Sequence, residues 1–393
     1  MAVQPALITT VVLILALSLT VALGVLPAAA SPDADRRIRV ALEAATHEVE
    51  VASVGPVRVA AIGWNTTMTG TVRVRRVGGH LIVNDHTVAP PVRITGDSAF
   101  LTVDGTSVRG DLVVTVRNRR VFVVNEVGVE DYVRSVVPSE VPSDWPLEAL
   151  KAQAILARTY ALYQKAERGS SDFDLDATVQ SQVYGGVASE DGRTSQAVET
   201  TAGRVVRFRG QLAFTPYHST SAGPTEDAVE VWGIDLPYLK GVDCSFDTES
   251  PAARWTRRVP LEEIEASLGR AGYRVGPIAS LTPLGRNRSG RVFAVRAVHA
   301  GGAFVLKGAD LRRIIGYRRL PSMRFDLTAF AVNPESRQVE AWFEGGGWGH
   351  GVGLCQWGMK ALAERGWTAD QIVGYYYPGT TVDVVAPRVP RAR

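Results

Sequence analysis

One carboxylate in this chain stands where proton chemistry is easiest to arrange. Glu140 lies within Val136–Tyr163, VVPSEVPSDWPLEALKAQAILARTYALY, among prolines and beside Val141 and Trp145. Poorly solvating neighbours disfavour the charged form of a carboxyl group, so this setting raises its pKa toward that of a general acid able to protonate a leaving oxygen. The plainer alternative is a glutamate at the mouth of a helix, because perturbed carboxylates mark sites only in some proteins. The segment after Glu140 reads as that helix. Ser143 or Asp144 is placed to cap it, Pro146 suits its first turn, Leu147, Leu150, Ala154, Ala157 and Ala161 repeat on one face, and Gly169 ends it. Lys151 and Arg158 fall two helical turns apart and project near one another, as a site for an acidic or polar substrate requires; otherwise they are two solvated bases.

A second group of residues lies near the C-terminus. Gly345, Gly346, Gly347, Gly349, Gly351 and Gly353 permit close backbone approaches. Trp348 and Trp357 offer flat apolar faces for sugar rings and His350 adds a polar group, although Trp357 reads better as core. His218, Cys244, His350 and Cys355 supply zinc-type ligands only from distant segments, without the close-spaced pairs that mark such sites, so neither a metal nor a cofactor is expected. Cys244 and Cys355 are the two cysteines of the chain. Two readings stay open for them: a disulfide in an oxidising compartment, or two buried thiols.

The elements that position these residues follow from periodicity. Ile38–Ala61 and Thr71–Val83 alternate apolar and polar residues in strand fashion, and Leu112–Val116 and Val121–Val124 flank a turn at 117–120 that leads toward Glu140. Leu261–Leu268 and Leu306–Ile315 read as short helices around a strand at Val292–Val298, and Thr368 with Gln371 forms a capping box for a last helix that Pro378 terminates. The fold class is α+β: a β-rich N-terminal region, a mixed region with a long central helix, and a helical closing block. With 43 Lys and Arg against 40 Asp and Glu, a net charge of +3 and dispersed bases, a nucleic-acid partner is not expected. Ala6–Ala30 carries no charge and ends in Ala28-Ala29-Ala30, so residues 1–30 read as a cleaved signal peptide or a retained membrane anchor. Either implies export to the cell envelope, with membrane contact only through that segment if it is uncleaved.

Four blocks together resemble the SpoIID/LytB family, the stage II sporulation protein D lytic transglycosylases and their amidase-modifier relatives. They are Val121–Glu140 (VFVVNEVGVEDYVRSVVPSE), the Glu140 segment itself, Ala213–Cys244 with its Tyr-His-Ser-Thr-Ser run, and Gly345–Thr380 with GGGWGHGVGLCQWGM. The resemblance implies a strand and short connection running into a catalytic Glu140. It also implies a glycan cleft lined by Tyr217, His218, Ser219 and Ser221, with Lys151 and Arg158 near the acid and His350 adding to substrate binding. Residues 31–120 then form the β-rich region, 121–384 the SpoIID-like catalytic domain and 385–393 a basic tail. Some relatives carry Cys and His around the segment matching Asp174–Tyr184; this chain has neither there, which removes that metal site. The implied activity is cleavage of peptidoglycan glycan strands, stripped of stem peptides, by a lytic transglycosylase. The alternative is a LytB-like enhancer that binds glycan or a cell-wall amidase and cuts nothing. A hydrolase would need a second carboxylate, for which Asp144 and Glu226 are the candidates.

Overall fold

The structure, a computed structural model, describes residues 36–42, 47–169 and 171–384. The expected N-terminal signal or anchor segment and the basic tail lie outside the described residues. Among those described, no helix is long and apolar enough to cross a membrane.

The N-terminal half is built on two sheets. Seven strands run in the order Leu175–Asp176, Arg37–Ala41, Arg120–Gly128, Asp111–Arg117, Val92–Gly96, Val57–Ala61, Trp64–Met68, and six more form the sheet from Thr106–Val108 to His86–Val88. Alternation dictates which residues face inward. Val57, Val59, Val92 and Ile94 of the first sheet share one apolar core with Val49, Val51, Val72 and Val74 of the second. The hairpin expected around 117–120 is present, with Arg117 opposite Arg120 and both turn residues, Asn118 and Arg119, at positive φ (50° and 60°), as a two-residue turn of this hand requires. The division expected at residue 120 falls inside this hairpin.

Eight α-helices follow among the described residues: α1 Val129–Glu140, α2 Leu147–Arg168, α3 Gly192–Thr200, α4 Ala228–Trp232, α5 Leu261–Arg270, α6 Gly308–Ile315, α7 Gln356–Glu364 and α8 Ala369–Tyr376. The connection into Glu140 is therefore a helix, not the short link expected. Val129, Tyr132, Val133, Val136 and Val137 recur at helical spacing and are buried, while the β-branched valines and Pro138 in the last turn obscure that signal in the sequence. α2 ends at Gly169 as expected, but it starts from Pro146 without a side-chain cap from Ser143 or Asp144. The Thr368–Gln371 capping box on α8 is formed.

The chain buries two separate apolar cores. One gathers residues from Ile38 to Cys244 and resumes from Val352 to Tyr377; the other, from Trp255 to Phe343, is enclosed by two three-stranded sheets with α5 and α6. The second unit thus interrupts the first in sequence. Part of the stretch expected as a helix at Leu306–Ile315 is strand, Gly302–Lys307, paired with Val292–His299.

Candidate active site

Glu140 closes the last turn of α1, where the exposed carbonyl ends of the helix disfavour a further negative charge. Its Oε1 accepts the Val183 N–H at 3.0 Å. The Tyr217 hydroxyl and the Gln356 side chain also act on the carboxyl as donors that favour its charged form. Burial pushes its pKa above the ordinary 4.5, against the opposing pull of these three donors. No ion pair reaches Glu140 among the described residues, so neutral groups alone support it.

Those donors belong to a larger network. The Tyr132 hydroxyl donates to Gln182 Oε1 and Gln182 Nε2 donates to the Tyr217 hydroxyl, each at 3.0 Å. Gln356 Nε2 reaches Gln153 Oε1 at 3.4 Å, and Gln153 Nε2 is buried with no hydrogen-bond partner among the described residues. Sequence reasoning misses Tyr132, Gln153, Gln182 and Gln356, because neither a neutral amide nor a core tyrosine carries a spacing rule of its own. The one available signal is the Gln182-Val183-Tyr184 run, read only for metal ligands.

Tyr217–His218 pairs in parallel with Leu354–Cys355 and so joins the middle and closing blocks. Gly349 and Gly353 make that approach feasible: a Cβ on Gly349 would lie 2.5 Å from the His218 Cβ, and one on Gly353 2.0 Å from the Pro216 oxygen. His218 is buried, with Nδ1 3.2 Å from the Val352 carbonyl and Nε2 2.6 Å from Ser221 Oγ. A nitrogen facing a carbonyl carries the proton, so Nδ1 donates and Nε2 accepts from Ser221. Burial holds this imidazole neutral, its pKa well below the ordinary value. The His350 ring packs at a tilt, its centroid 5.5 Å from that of His218 and 5.0 Å from that of Trp232, and its pKa is lowered by burial to about 3. Ser219 is half-buried and its carbonyl accepts the Trp357 N–H at 3.1 Å; Ser221 is fully buried. Trp232 and Trp348 keep exposed ring surface, whereas Trp357 packs on Trp145 at 5.3 Å.

The two bases expected beside the acid are engaged elsewhere. Arg158 is fully buried and forks onto Glu130, with Nε–Oε1 at 2.9 Å and Nη2–Oε2 at 2.7 Å, and its remaining donors go to the carbonyls of Ala154, Val198 and Arg204. Glu130 begins α1 and Glu140 ends it, so about 15 Å of helix separates this ion pair from the acid. Lys151 pairs with Glu148 at 2.7 Å, and Glu148 in turn accepts the Ala369 N–H at the start of α8. Arg158 therefore fastens α2 to α1, while Lys151 steadies the α2 carboxylate that holds the start of α8. Glu226, a candidate second carboxylate, is buried against Asn287 and Ser289, and Asp144 is exposed. Cys244 and Cys355 are both free and buried, with their sulfurs within 4.8 Å of one another. The two-His, two-Cys set does not assemble among the described residues. A cleft of about 940 Å³, lined by Arg254, Trp255, Arg286, Arg324 and Glu344 among others, opens on the second unit and touches the first at Ala222.

Fold and site define an α+β protein in which a partly buried carboxyl acid, Glu140, is supported by neutral donors. The chain belongs to the stage II sporulation protein D family. The family model described as "Stage II sporulation protein" matches residues 117–208, and a domain of unknown function, DUF8618, matches 238–353. Stage II sporulation protein D of Bacillus subtilis is 32% identical over 280 residues, covering 66% of this chain and 75% of that protein. An uncharacterized protein of Brachyspira hyodysenteriae is 31% identical, covering 72% of this chain and 74% of its own length. The amidase enhancer of Bacillus subtilis is 30% identical over 63% of this chain, which spans 40% of that protein.

Proposed function

We propose that this chain is a peptidoglycan lytic transglycosylase acting on glycan strands stripped of stem peptides. The observation that carries the reading is Glu140, a carboxyl group with raised proton affinity, three neutral donors and no cation. Protonated, it gives its proton to the oxygen joining N-acetylmuramic acid to N-acetylglucosamine, and the bond's electron pair leaves with that oxygen. As carboxylate, it then takes the proton of the same muramyl residue's 6-hydroxyl while that oxygen bonds the anomeric carbon. The nucleophile is tethered to the reacting centre, which removes part of the entropic barrier and the need for a second carboxylate. Exposed Trp232 and Trp348 offer stacking faces, and the Gln153 amide offers a donor near the acid's network. The same reading has the protein exported to the cell envelope.

The amidase-enhancer relative favours a second reading, a glycan-binding modifier of a cell-wall amidase. Digestion of amidase-treated glycan, followed by mass spectrometry, separates the two. The transglycosylase gives 1,6-anhydromuramyl ends, lighter than hydrolysed ends by one water, with no other enzyme present. A modifier gives no new ends and speeds stem-peptide release by an added amidase. Reducing ends alone would mean hydrolysis.

A further inference from the structure

Away from Glu140, three potential metal ligands converge. The sulfurs of Cys244 and Cys355 and a carboxylate oxygen of Asp247 all lie within 4.8 Å of one another, and all three residues are buried. Cys244 and Asp247 are three residues apart, the spacing of the close pair in many zinc sites, and Cys355 comes from the N-cap of α7. Sequence reasoning misses the cluster because it pairs the cysteines with histidines rather than with Asp247.

Backbone donors point at the cluster from two sides. The Cys355 sulfur accepts the backbone N–H groups of Ser221 at 3.3 Å and Gly358 at 3.4 Å, and it lies 3.3 Å from Asp247 Oδ2. That same oxygen accepts the N–H groups of Ser221 and Ala222 at 2.7 and 2.8 Å. A cation waits alongside. Arg291 is buried, its Nη atoms donate to the carbonyls of Pro224 and Ser221, its Nε has no partner among the described residues, and its charge acts on both cysteines. Glu226 answers it only at longer range, without an ion pair. An anionic cluster beside this guanidinium would compensate a buried charge that is otherwise costly.

We infer that Cys244, Asp247 and Cys355 form a structural site for a thiophilic divalent cation, zinc by its preference for thiolate and carboxylate ligands in tetrahedral array. Binding converts two thiols, one carboxylate and the dication into a singly negative complex and releases two protons; no electrons are exchanged. Arg291 balances the remaining charge. The Ser219 carbonyl, 3.6 Å from the Cys355 sulfur, is a candidate for the fourth ligand. Occupancy would tie the Ser219–Ala222 turn and the Cys244–Asp247 segment to the start of α7.

The test uses the full chain purified without chelator, with metal content measured by mass spectrometry and thiols counted by alkylation after denaturation. About one zinc per chain is expected. Cobalt titrated into chelator-stripped, reduced protein should give a thiolate-to-cobalt charge-transfer band with release of two protons per ion, and Cys355→Ser and Asp247→Asn should each weaken binding at least about tenfold. Should a variant fail to fold, the wild-type cobalt titration decides alone. Absence of metal together with a silent titration, cobalt binding without the charge-transfer band, or a Cys244–Cys355 disulfide in the non-reduced peptide map each overturn the site. None of these readouts depends on glycan cleavage.

Discussion

The two ends of α1 each carry a glutamate, and they have opposite fates. Glu130, in the first turn, meets the favourable end of the helix dipole, the Gly203 N–H at 3.0 Å and both arms of the Arg158 fork. Glu140, in the last turn, meets the unfavourable end and neutral donors alone. A carboxylate with a fitted cation keeps its charge and holds helices together. One without a cation keeps a proton within reach, which acid chemistry needs. Residue type and helix are the same in both cases; the partner makes the difference.

Replacing each glutamate by glutamine breaks the comparison at one end at a time. Glu140→Gln should abolish release of anhydro ends, a fall of at least about 10²–10⁴-fold in turnover, with a urea midpoint no lower than that of the wild type. A variant that still cleaves would sink the single-acid mechanism. Glu130→Gln should do the reverse: it leaves the Arg158 charge buried without its counterion and costs about 3–5 kcal/mol in urea unfolding, while the folded fraction keeps its turnover. An unchanged midpoint would mean that the fork carries little weight.

Smaller effects sharpen the contrast. Gln356→Ala removes one donor to the Glu140 carboxylate, so the alkaline limb of the activity profile should move to higher pH, with turnover down about tenfold, in keeping with a hydrogen bond to a charged group. A limb that stays in place would exclude Gln356 as a support of the acid. The least effect concerns stability. Because burial raises the folded pKa of Glu140 above 4.5, folding favours its protonated form; the preference is fully present below the unfolded value and is lost as pH rises through the folded one. Wild type should therefore lose stability relative to Glu140→Gln across that window, and parallel stability curves would contradict the raised pKa.

How much of this is legible in the sequence depends on whether an element has a period or a signature. The alternating strands, the α2 face, the Gly169 stop and the Thr368–Gln371 box rest on local rules, and they appear where those rules place them. α1 is hidden because its valines favour strands and Pro138 reads as a breaker, yet Pro138 sits in a final turn that survives the loss of one backbone donor. Arg158 is misjudged for a different reason. Helical spacing identifies the face on which a side chain lies but not the partner from another element, and Glu130 reaches it through tertiary packing. Neutral amides such as Gln182 and Gln356 acquire meaning only from what they touch.

The interruption of one core by another also bears on how the chain reaches its native state. His218 bonds the carbonyl of Val352 across 134 residues, and Tyr377 bonds Pro216 across 161. Joining such distant segments carries a loop-closure cost that grows with the span, so these contacts form slowly in an extended chain. A second unit that collapses around its own core shortens the effective loop. It should then act as a clasp that draws the closing block toward Tyr217, and pulsed hydrogen exchange during refolding should show amides of 255–343 protected before those of α7 and α8. Simultaneous protection throughout would show that closure does not wait on the clasp.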